Sequence, residues 1–366
     1  MSLAERFLAF RQRHHAAFDV VFFIGGFAFD ALVLKRIDDH AVLVQQGLYL
    51  ALACGVYLWD HVLRTRGREP AGAWGKVASM RVPVLHFFLG TLLNAFLVFY
   101  FRASASLFSF LFIAGLAVAI IVNELPRFRR EGSPMRLLLI SFSVTSYLAY
   151  LIPVLWGELH RWHYFSAVGM GALAAVTLWT ASRLMASGPA RRPWSSLLPS
   201  IGLQAMLTVL YWAGVTPPVP LSLKELAIYS NVTPHRPDGG GVHYTLEYQP
   251  GPRWKVWERE DERFVAPEGS RVWAFTRVFA PSHFKDQVAF QWEVQDGQRG
   301  WVPLGAPFLT DLAGGNEHGF RTFSYLTVER PARYRVRVLT DDGREIGFKA
   351  FTYVTGEGPP SLVRED

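Results

Sequence analysis

The chain has 366 residues, of which 51% are hydrophobic and 18% charged, with a formal net charge of +7 and one cysteine. Because Cys54 has no partner within the chain, an internal disulfide and a thiolate metal cluster are excluded. Residues 1–219 hold 19 Lys and Arg against 10 Asp and Glu, whereas residues 220–366 hold 18 against 20. The positive excess therefore lies in the apolar half, which argues against nucleic acid as a partner.

The first 17 residues combine apolar side chains, such as Leu3 and Phe7, with Arg6, Arg11 and Arg13. The apolar run that follows ends without a small-x-small cleavage pattern, so residues 1–17 do not read as a cleavable signal peptide. We expect them to form an interfacial helix on the cytoplasmic membrane surface.

Seven apolar runs fill residues 18–215. Each has close to the ~20 residues that a helix needs to cross ~30 Å of hydrocarbon, which predicts a bundle of seven transmembrane helices. The runs are Phe18–Leu34, Ala41–Leu63, Val82–Phe101, Ala105–Leu125, Leu137–Trp156, Phe165–Ser187 and Trp194–Val215.

Basic residues alternate between the gaps that separate these runs. The leader and the second, fourth and sixth gaps hold fifteen Lys and Arg, counting Arg183 near the inner end of the sixth run, while the other three gaps hold four. Cytoplasmic loops carry the excess of Lys and Arg in membrane proteins. The pattern predicts a membrane protein with a cytoplasmic N-terminus and a C-terminal domain on the far side of the membrane.

The C-terminal part begins with a proline-rich linker over residues 216–240, since Pro217, Pro218 and Pro220 cannot continue a helix. From residue 241 to 366 the pattern changes to period-two alternation, which is typical of strands. Expected strands are Gly241–Gln249, Arg271–Phe279, Gln287–Val294, Gly300–Leu304, Phe320–Val328, Ala332–Thr340 and Glu345–Tyr353.

The last two expected strands flank Asp342 and Gly343, and Asp-Gly between alternating runs is a strong hairpin signal. Short strands at this spacing, without helical periods, predict an all-β antiparallel sandwich of immunoglobulin-like size. The predicted fold class is thus a membrane seven-helix bundle followed by a β-sandwich.

Polar residues within the predicted helices form one candidate site: Asp30, His86, Asn94 and Gln204. Placing an ionisable side chain inside a membrane costs free energy, so such a residue usually has a partner or a function there. These side chains could line a transport pathway or an intramembrane active site. Interhelical hydrogen bonding uses the same residue types and is the interpretation that we favour.

A second candidate is a binding surface on the outer domain. Trp254 and Trp257 lie beside prolines and charges, where aromatic rings could stack on sugars. Arg333, Arg335 and Arg337 alternate along one strand and could bind an anion, although a solvated strand face is the interpretation that we favour.

The pair His160 and His163, with Glu158 nearby, is too small a set to predict a metal site, and no recognised catalytic motif occurs in the sequence. We therefore predict no catalytic residue, no metal and no cofactor.

Two passages resemble an uncharacterised bacterial family of multi-pass inner-membrane proteins. The first runs from Phe23 through Gly25, Gly26 and Asp30 to Arg36, Asp38, Gln45 and Gln46. The second runs from Arg271 to Tyr353, including Trp292, Gly300 and Trp301, and is similar to a C-terminal domain of unknown function that accompanies the first. The resemblance implies a bacterial inner-membrane protein with a periplasmic sandwich, and it supplies no activity, cofactor or catalytic residue to carry over.

The function predicted from these features is presentation of the outer domain for binding a partner protein or an envelope glycan, in sensing or scaffolding. The alternative is a small-solute or ion transporter, or an intramembrane enzyme, that uses the polar residues of the helix bundle. The expected partners are the lipid bilayer and an envelope protein or glycan, without nucleic acid.

Overall fold

The computed structural model of the chain describes residues 36–66, 72–104, 107–124, 133–185, 193–236, 242–251, 262–314 and 319–366. The leader, the first predicted span Phe18–Leu34, and the candidate residues Asp30, Trp254 and Trp257 lie outside these ranges.

The apolar runs form helices. They are α1 (His40–Arg66), a short α2 (Gly72–Ser79), α3 (Arg81–Ala103), α4 (Leu107–Glu124), α5 (Ser133–Trp156), α6 (Arg161–Met185) and α7 (Leu198–Trp212), with a 3-10 turn at Trp194–Ser196. The prediction of a seven-helix bundle is corrected: the described residues contain six helices at predicted spans, besides the short α2.

Only four helical stretches in the described part of the chain are long and apolar enough to cross a membrane. They are His40–Thr65, Gly72–Ala103, Pro134–Trp156 and Arg161–Met185. Helix α7 has 15 residues, because the 3-10 turn occupies the first residues of the predicted run Trp194–Val215.

Helix α5 shows how local sequence sets helix ends. Pro134 occupies the first turn, where its missing N–H costs nothing. Gly157 follows the last helical residue with a φ of +78°, and its N–H donates to the Pro153 carbonyl at 2.8 Å. Glycine is the residue that adopts this left-handed conformation without strain, so the helix ends here.

The chain divides into two compact units. The first comprises Met1–Phe99, Gly115–Tyr147 and Gly171–Gly202, and the second comprises Tyr100–Ala114, Leu148–Met170 and Leu203–Asp366. The second unit contains every strand described below.

Twelve strands form three sheets within the described residues of the second unit. They are β1 (Ser222–Tyr229), β2 (Asn231–His235), β3 (His243–Tyr248), β4 (Arg263–Ala266), β5 (Arg271–Phe279), β6 (Lys285–Asp296), β7 (Gly300–Pro303), β8 (Phe308–Ala313), β9 (Phe320–Thr327), β10 (Ala332–Thr340), β11 (Glu345–Thr355) and β12 (Leu362–Glu365). The sheet orders are β1-β5-β9, β4-β11-β10-β6-β7 with β8 also paired to β6, and β12-β3-β2.

The main core lies between the first two sheets, where Val272, Phe290, Trp292, Val336 and Phe351 are buried together. A smaller cluster around Tyr229, Leu246 and Phe275 joins the first sheet to the third. We call residues 221–366 the β domain.

The prediction of an antiparallel immunoglobulin-like sandwich is wrong. Strand β4 pairs with β11 in parallel, from Arg263 opposite Thr352 to Ala266 opposite Thr355, so the larger sheet is mixed. A third sheet is also present. A four-residue strand such as β4 carries no sequence signal for the direction of its pairing.

Strands β1 and β2 occupy residues that we assigned to the linker. A register shift between Leu223 and Glu225 interrupts the period-two alternation of β1, which hides the strand in the sequence. The predicted hairpin is present, since β10 and β11 pair antiparallel around Gly343, whose φ is +85°.

Candidate functional site

The connection between α5 and α6 is bonded to the β domain through its backbone. The carbonyl of Gly157 accepts the N–H of Lys285 at 2.7 Å. A Cβ on Gly157 would lie 2.8 Å from the carbonyl oxygen of His283, which is too close for any other residue. The glycine therefore serves both the helix end and this contact.

Two residues further on, Leu159 enters the β domain's hydrophobic core. Its side chain is 4% exposed and belongs to the main core cluster. The Leu159 N–H donates to Oδ2 of Asp286 at 2.8 Å, while Oδ1 of the same carboxylate accepts the N–H of Gln287. The core of the β domain thus includes a side chain from a helix connection.

A polar network joins α7 to the β10–β11 hairpin. The Tyr211 hydroxyl donates to Oδ2 of Asp342 at 2.6 Å, and Thr340 donates its hydroxyl to Oδ1. Arg344 places Nε 3.0 Å from the same Oδ2 and its guanidinium carbon 5.0 Å from the centre of the Tyr211 ring. Tyr164 stacks on Tyr211 with ring centres 4.6 Å apart.

The pKa values of Asp286 and Asp342 are shifted in opposite directions. Burial raises the pKa of Asp286, and the nearby Asp341 and Asp342 carboxylates add to this, against the Leu159 and Gln287 N–H groups. Burial also acts to raise the pKa of Asp342, but Arg344, Thr340 and Tyr211 outweigh it and hold that pKa below its usual value. Asp342 is therefore firmly ionised at neutral pH.

We refer to Gly157, Leu159, Tyr211, Asp286, Asp342 and Arg344 as the junction. Its bonds fix the helix connection and α7 against the β domain through a shared core residue, backbone hydrogen bonds and a buried ion pair. Both carboxylates are committed to N–H and O–H donors, so each is satisfied by hydrogen bonds within the junction. In the described residues no group of three His, Cys, Asp or Glu is placed to hold a metal ion.

The first unit contains a second charged cluster. Asp60 on α1 is 4% exposed and accepts from three arginines, namely Arg64 at 2.8 Å, Arg81 at 2.8 Å and Arg136 at 2.7 Å. The three guanidiniums come from α1, α3 and α5.

The candidate intramembrane residues are divided between the units. His86 and Asn94 belong to the first unit, while Gln204 belongs to the second. His86 and Gln204 are buried and Asn94 is partly buried.

The arginine stripe on β10 is largely neutralised. Arg335 and Arg337 both contact the buried carboxylate of Glu293, and Arg337 also pairs with Glu345 at 2.6 Å. Arg333 is exposed, with its guanidinium carbon 6.0 Å from the Trp301 ring centre. The stripe thus offers one arginine rather than three to an anion.

The sequence pointed to few of the junction residues. Gly157 follows an aromatic helix end, and Asp342 and Gly343 mark a hairpin, but nothing in the alternation pattern links them. Leu159 stands between Glu158 and His160 in a polar loop, where an isolated leucine gives no signal of burial in a distant domain.

Comparison with known proteins gives no family assignment. No family model matches the chain, and no curated protein matches it. Among solved structures, it is similar to a Pseudomonas fluorescens alkylpurine DNA glycosylase AlkC bound to DNA containing an abasic site analog. That match has 10% identity and a TM-score of 0.23, and covers 88% of this chain and 99% of the other.

The prediction that excluded nucleic acid is corrected. A solved structure that the chain matches is bound to DNA, and we no longer make the exclusion. A TM-score of 0.23 carries no argument for nucleic acid as a ligand or for a shared fold.

Proposed function

We propose that the protein is a multi-pass protein of the bacterial inner membrane that presents its β domain in the periplasm, where the domain binds a partner protein or an envelope glycan. The β domain is fixed to the helices rather than tethered to them, so that a bound partner is coupled to the membrane part. This suits a sensor or a scaffold.

The observation that carries the proposal is Leu159, a residue of a helix connection that is buried in the β-domain core. A domain that only needed an anchor would be joined by a flexible linker, as is usual between domains. Here the helix connection supplies core packing, and the neighbouring Gly157 admits backbone contact with Lys285.

Membrane insertion is supported by the four apolar helical stretches, of 23 to 32 residues. A helix rises 1.5 Å per residue, so each exceeds the ~30 Å of the hydrocarbon layer.

The assignment of two basic gaps to one side of the membrane is supported by the Asp60 cluster. Arg64 and Arg81 lie at the two ends of the second gap and Arg136 at the end of the fourth, and all three contact one carboxylate. Residues of two gaps that we assigned to the cytoplasm thus meet at one place, as a common side of the membrane requires.

Orientation can be tested by cysteine labelling in the full-length protein. After Cys54→Ala, a single cysteine is introduced either at Arg299, exposed in the β6–β7 turn, or at Lys76, exposed on α2. In intact spheroplasts, a membrane-impermeant maleimide is expected to label Arg299→Cys, and to label Lys76→Cys only after permeabilisation. The reverse pattern would place the β domain in the cytoplasm and overturn the proposal.

A further inference from the structure

A row of aromatic rings crosses the face of the β1-β5-β9 sheet that is turned toward β3. Trp273 lies opposite Tyr325 in the register of β5 and β9, and Phe323 stands two residues before Tyr325 on the same face. The ring centres of Tyr325 and Trp273 are 4.9 Å apart, and those of Trp273 and Phe323 are 5.6 Å apart. The ring centre of Phe323 lies 6.0 Å from that of Tyr244 on β3.

The row is only partly used by the core. Trp273, Phe323 and Tyr244 pack against the smaller hydrophobic cluster and remain partly exposed. Tyr325 is 49% exposed. Large aromatic side chains that stay open to solvent in a contiguous row are a common sign of a binding surface.

An arginine stands at each end of the row. The guanidinium carbon of Arg271 lies 5.0 Å from the Tyr325 ring centre, and that of Arg321 lies 5.6 Å from the Tyr244 ring centre. Arg321 also lies 3.5 Å from a carboxylate oxygen of Asp366. Arg271 makes no ion pair within the part of the chain that the structure describes, so its end of the row is positively charged.

From this geometry we propose that the row from Arg271 through Tyr325, Trp273 and Phe323 to Tyr244 binds a polysaccharide that carries carboxylate groups. Sugar rings present apolar C–H faces that stack on aromatic side chains. The separations between these rings are comparable to the length of one sugar unit. The planar guanidinium of Arg271 can pair with a carboxylate through two parallel hydrogen bonds.

This inference rests on the proposed function, which places the β domain among envelope glycans. Bases of single-stranded nucleic acid also stack on aromatic rows beside arginines. We favour the glycan because the proposed function places the β domain among glycans, and binding of an oligonucleotide is the competing outcome of the test.

The test is isothermal titration calorimetry on the full-length protein in detergent micelles. The probes are an oligogalacturonate long enough to span four rings, its uncharged methyl ester, and a single-stranded oligonucleotide of similar length. We expect the acid to bind about tenfold more tightly than the ester, a difference of about 1.4 kcal/mol, because only the acid can form the charge-assisted pair with Arg271.

Substitutions assign the binding to the row. Tyr325→Ala and Arg271→Gln should each weaken binding of the acid up to about tenfold, and Tyr325→Phe should retain it because the ring remains. Matched controls are Phe308→Ala, whose ring is 52% exposed on β8, and Arg299→Gln; both should bind as the parent does.

The proposal is overturned if the acid does not bind, if Tyr325→Ala and Arg271→Gln bind it like the controls, or if the oligonucleotide binds more tightly than the acid. Binding in micelles is independent of orientation. A negative result here leaves the labelling outcome intact, and a reversed labelling pattern leaves a positive binding result intact.

Discussion

Asp60 and Asp342 are both buried carboxylates, but they are held in different ways. Asp60 is surrounded by three guanidiniums from three helices of the first unit. Asp342 in the second unit has one guanidinium, from Arg344, and two hydroxyl donors, from Tyr211 and Thr340. The Asp60 cluster therefore holds three positive charges around one negative charge, whereas the Asp342 cluster holds one ion pair and two neutral hydrogen-bond donors.

The difference concerns what each carboxylate stabilises. Without Asp60, three cations that cannot lose their protons would face one another in a poorly hydrated place. Without Asp342, one cation and two hydroxyls would lose an acceptor. We therefore expect loss of Asp60 to lower the free energy of unfolding more than loss of Asp342. Around Asp342, single substitutions of the ion pair and of the hydroxyl donors should give distinguishable effects.

The largest effect is expected for Asp60→Asn. Removing the only described acceptor that Arg64, Arg81 and Arg136 share should lower the free energy of unfolding by about 3–5 kcal/mol. Thermal unfolding in detergent micelles, followed by tryptophan fluorescence, measures this. A change below about 1 kcal/mol would show that the three arginines have sufficient alternative partners.

Asp342→Asn is expected to cost about 3 kcal/mol at neutral pH, because Arg344 loses its buried counter-charge. The difference in stability between parent and variant should shrink as the pH falls below 3.8, the ordinary pKa of an aspartate. The pKa of Asp342 is lowered in the folded protein, so its ionised carboxylate stabilises the parent above this pH and stops doing so once it is protonated. Tyr211→Phe, which removes one hydrogen bond and keeps the ring, should cost about 1 kcal/mol. Equal losses for the two variants would contradict the assigned ion pair.

Asp286→Asn should show the opposite dependence on pH. The raised pKa of Asp286 means that its contribution to stability is present below pH 3.8 and is lost as the pH rises through the folded value. Asparagine does not titrate, so the melting temperature of the variant relative to the parent should increase with pH. Scanning calorimetry of both proteins over this range gives the sign, and a decreasing difference would refute the assignment.

The smallest effect is expected for Arg64→Gln. The Arg64 side chain is 43% exposed, and an ion pair open to solvent contributes about 0–1 kcal/mol. Its comparison with Asp60→Asn shows whether Asp60 acts through the two more buried arginines. A loss as large as that of Asp60→Asn would place most of the energy in the exposed pair.

Much of the helix and strand content could be predicted from the sequence. Strands β5 and β10 occur at Arg271–Phe279 and Ala332–Thr340 as expected, because clean alternation specifies one buried face. Short strands such as β4 and β12, with four residues each, carry too few positions for a pattern. The same shortness hid the parallel pairing that changes the fold class.

The candidate sites were harder to predict, because the important contacts join residues far apart in the sequence. Asp286 and Leu159 are 127 positions apart, and Tyr211 and Asp342 are 131 apart. Alternation shows which face of a strand is buried, but not which loop covers its end. The arginine stripe was visible in the sequence, whereas the carboxylate of Glu293 that neutralises much of it lies on a neighbouring strand.

The burial of Leu159 has a consequence for the order of biosynthesis. A fragment that begins at the prolines after Val215 would lack the Leu159 side chain in its core and the Leu159 N–H that donates to Asp286. It should therefore fold poorly on its own. In the intact polypeptide, the α5–α6 connection is translated before any strand. Once threaded across the bilayer, it can act as a template on which the later strands close.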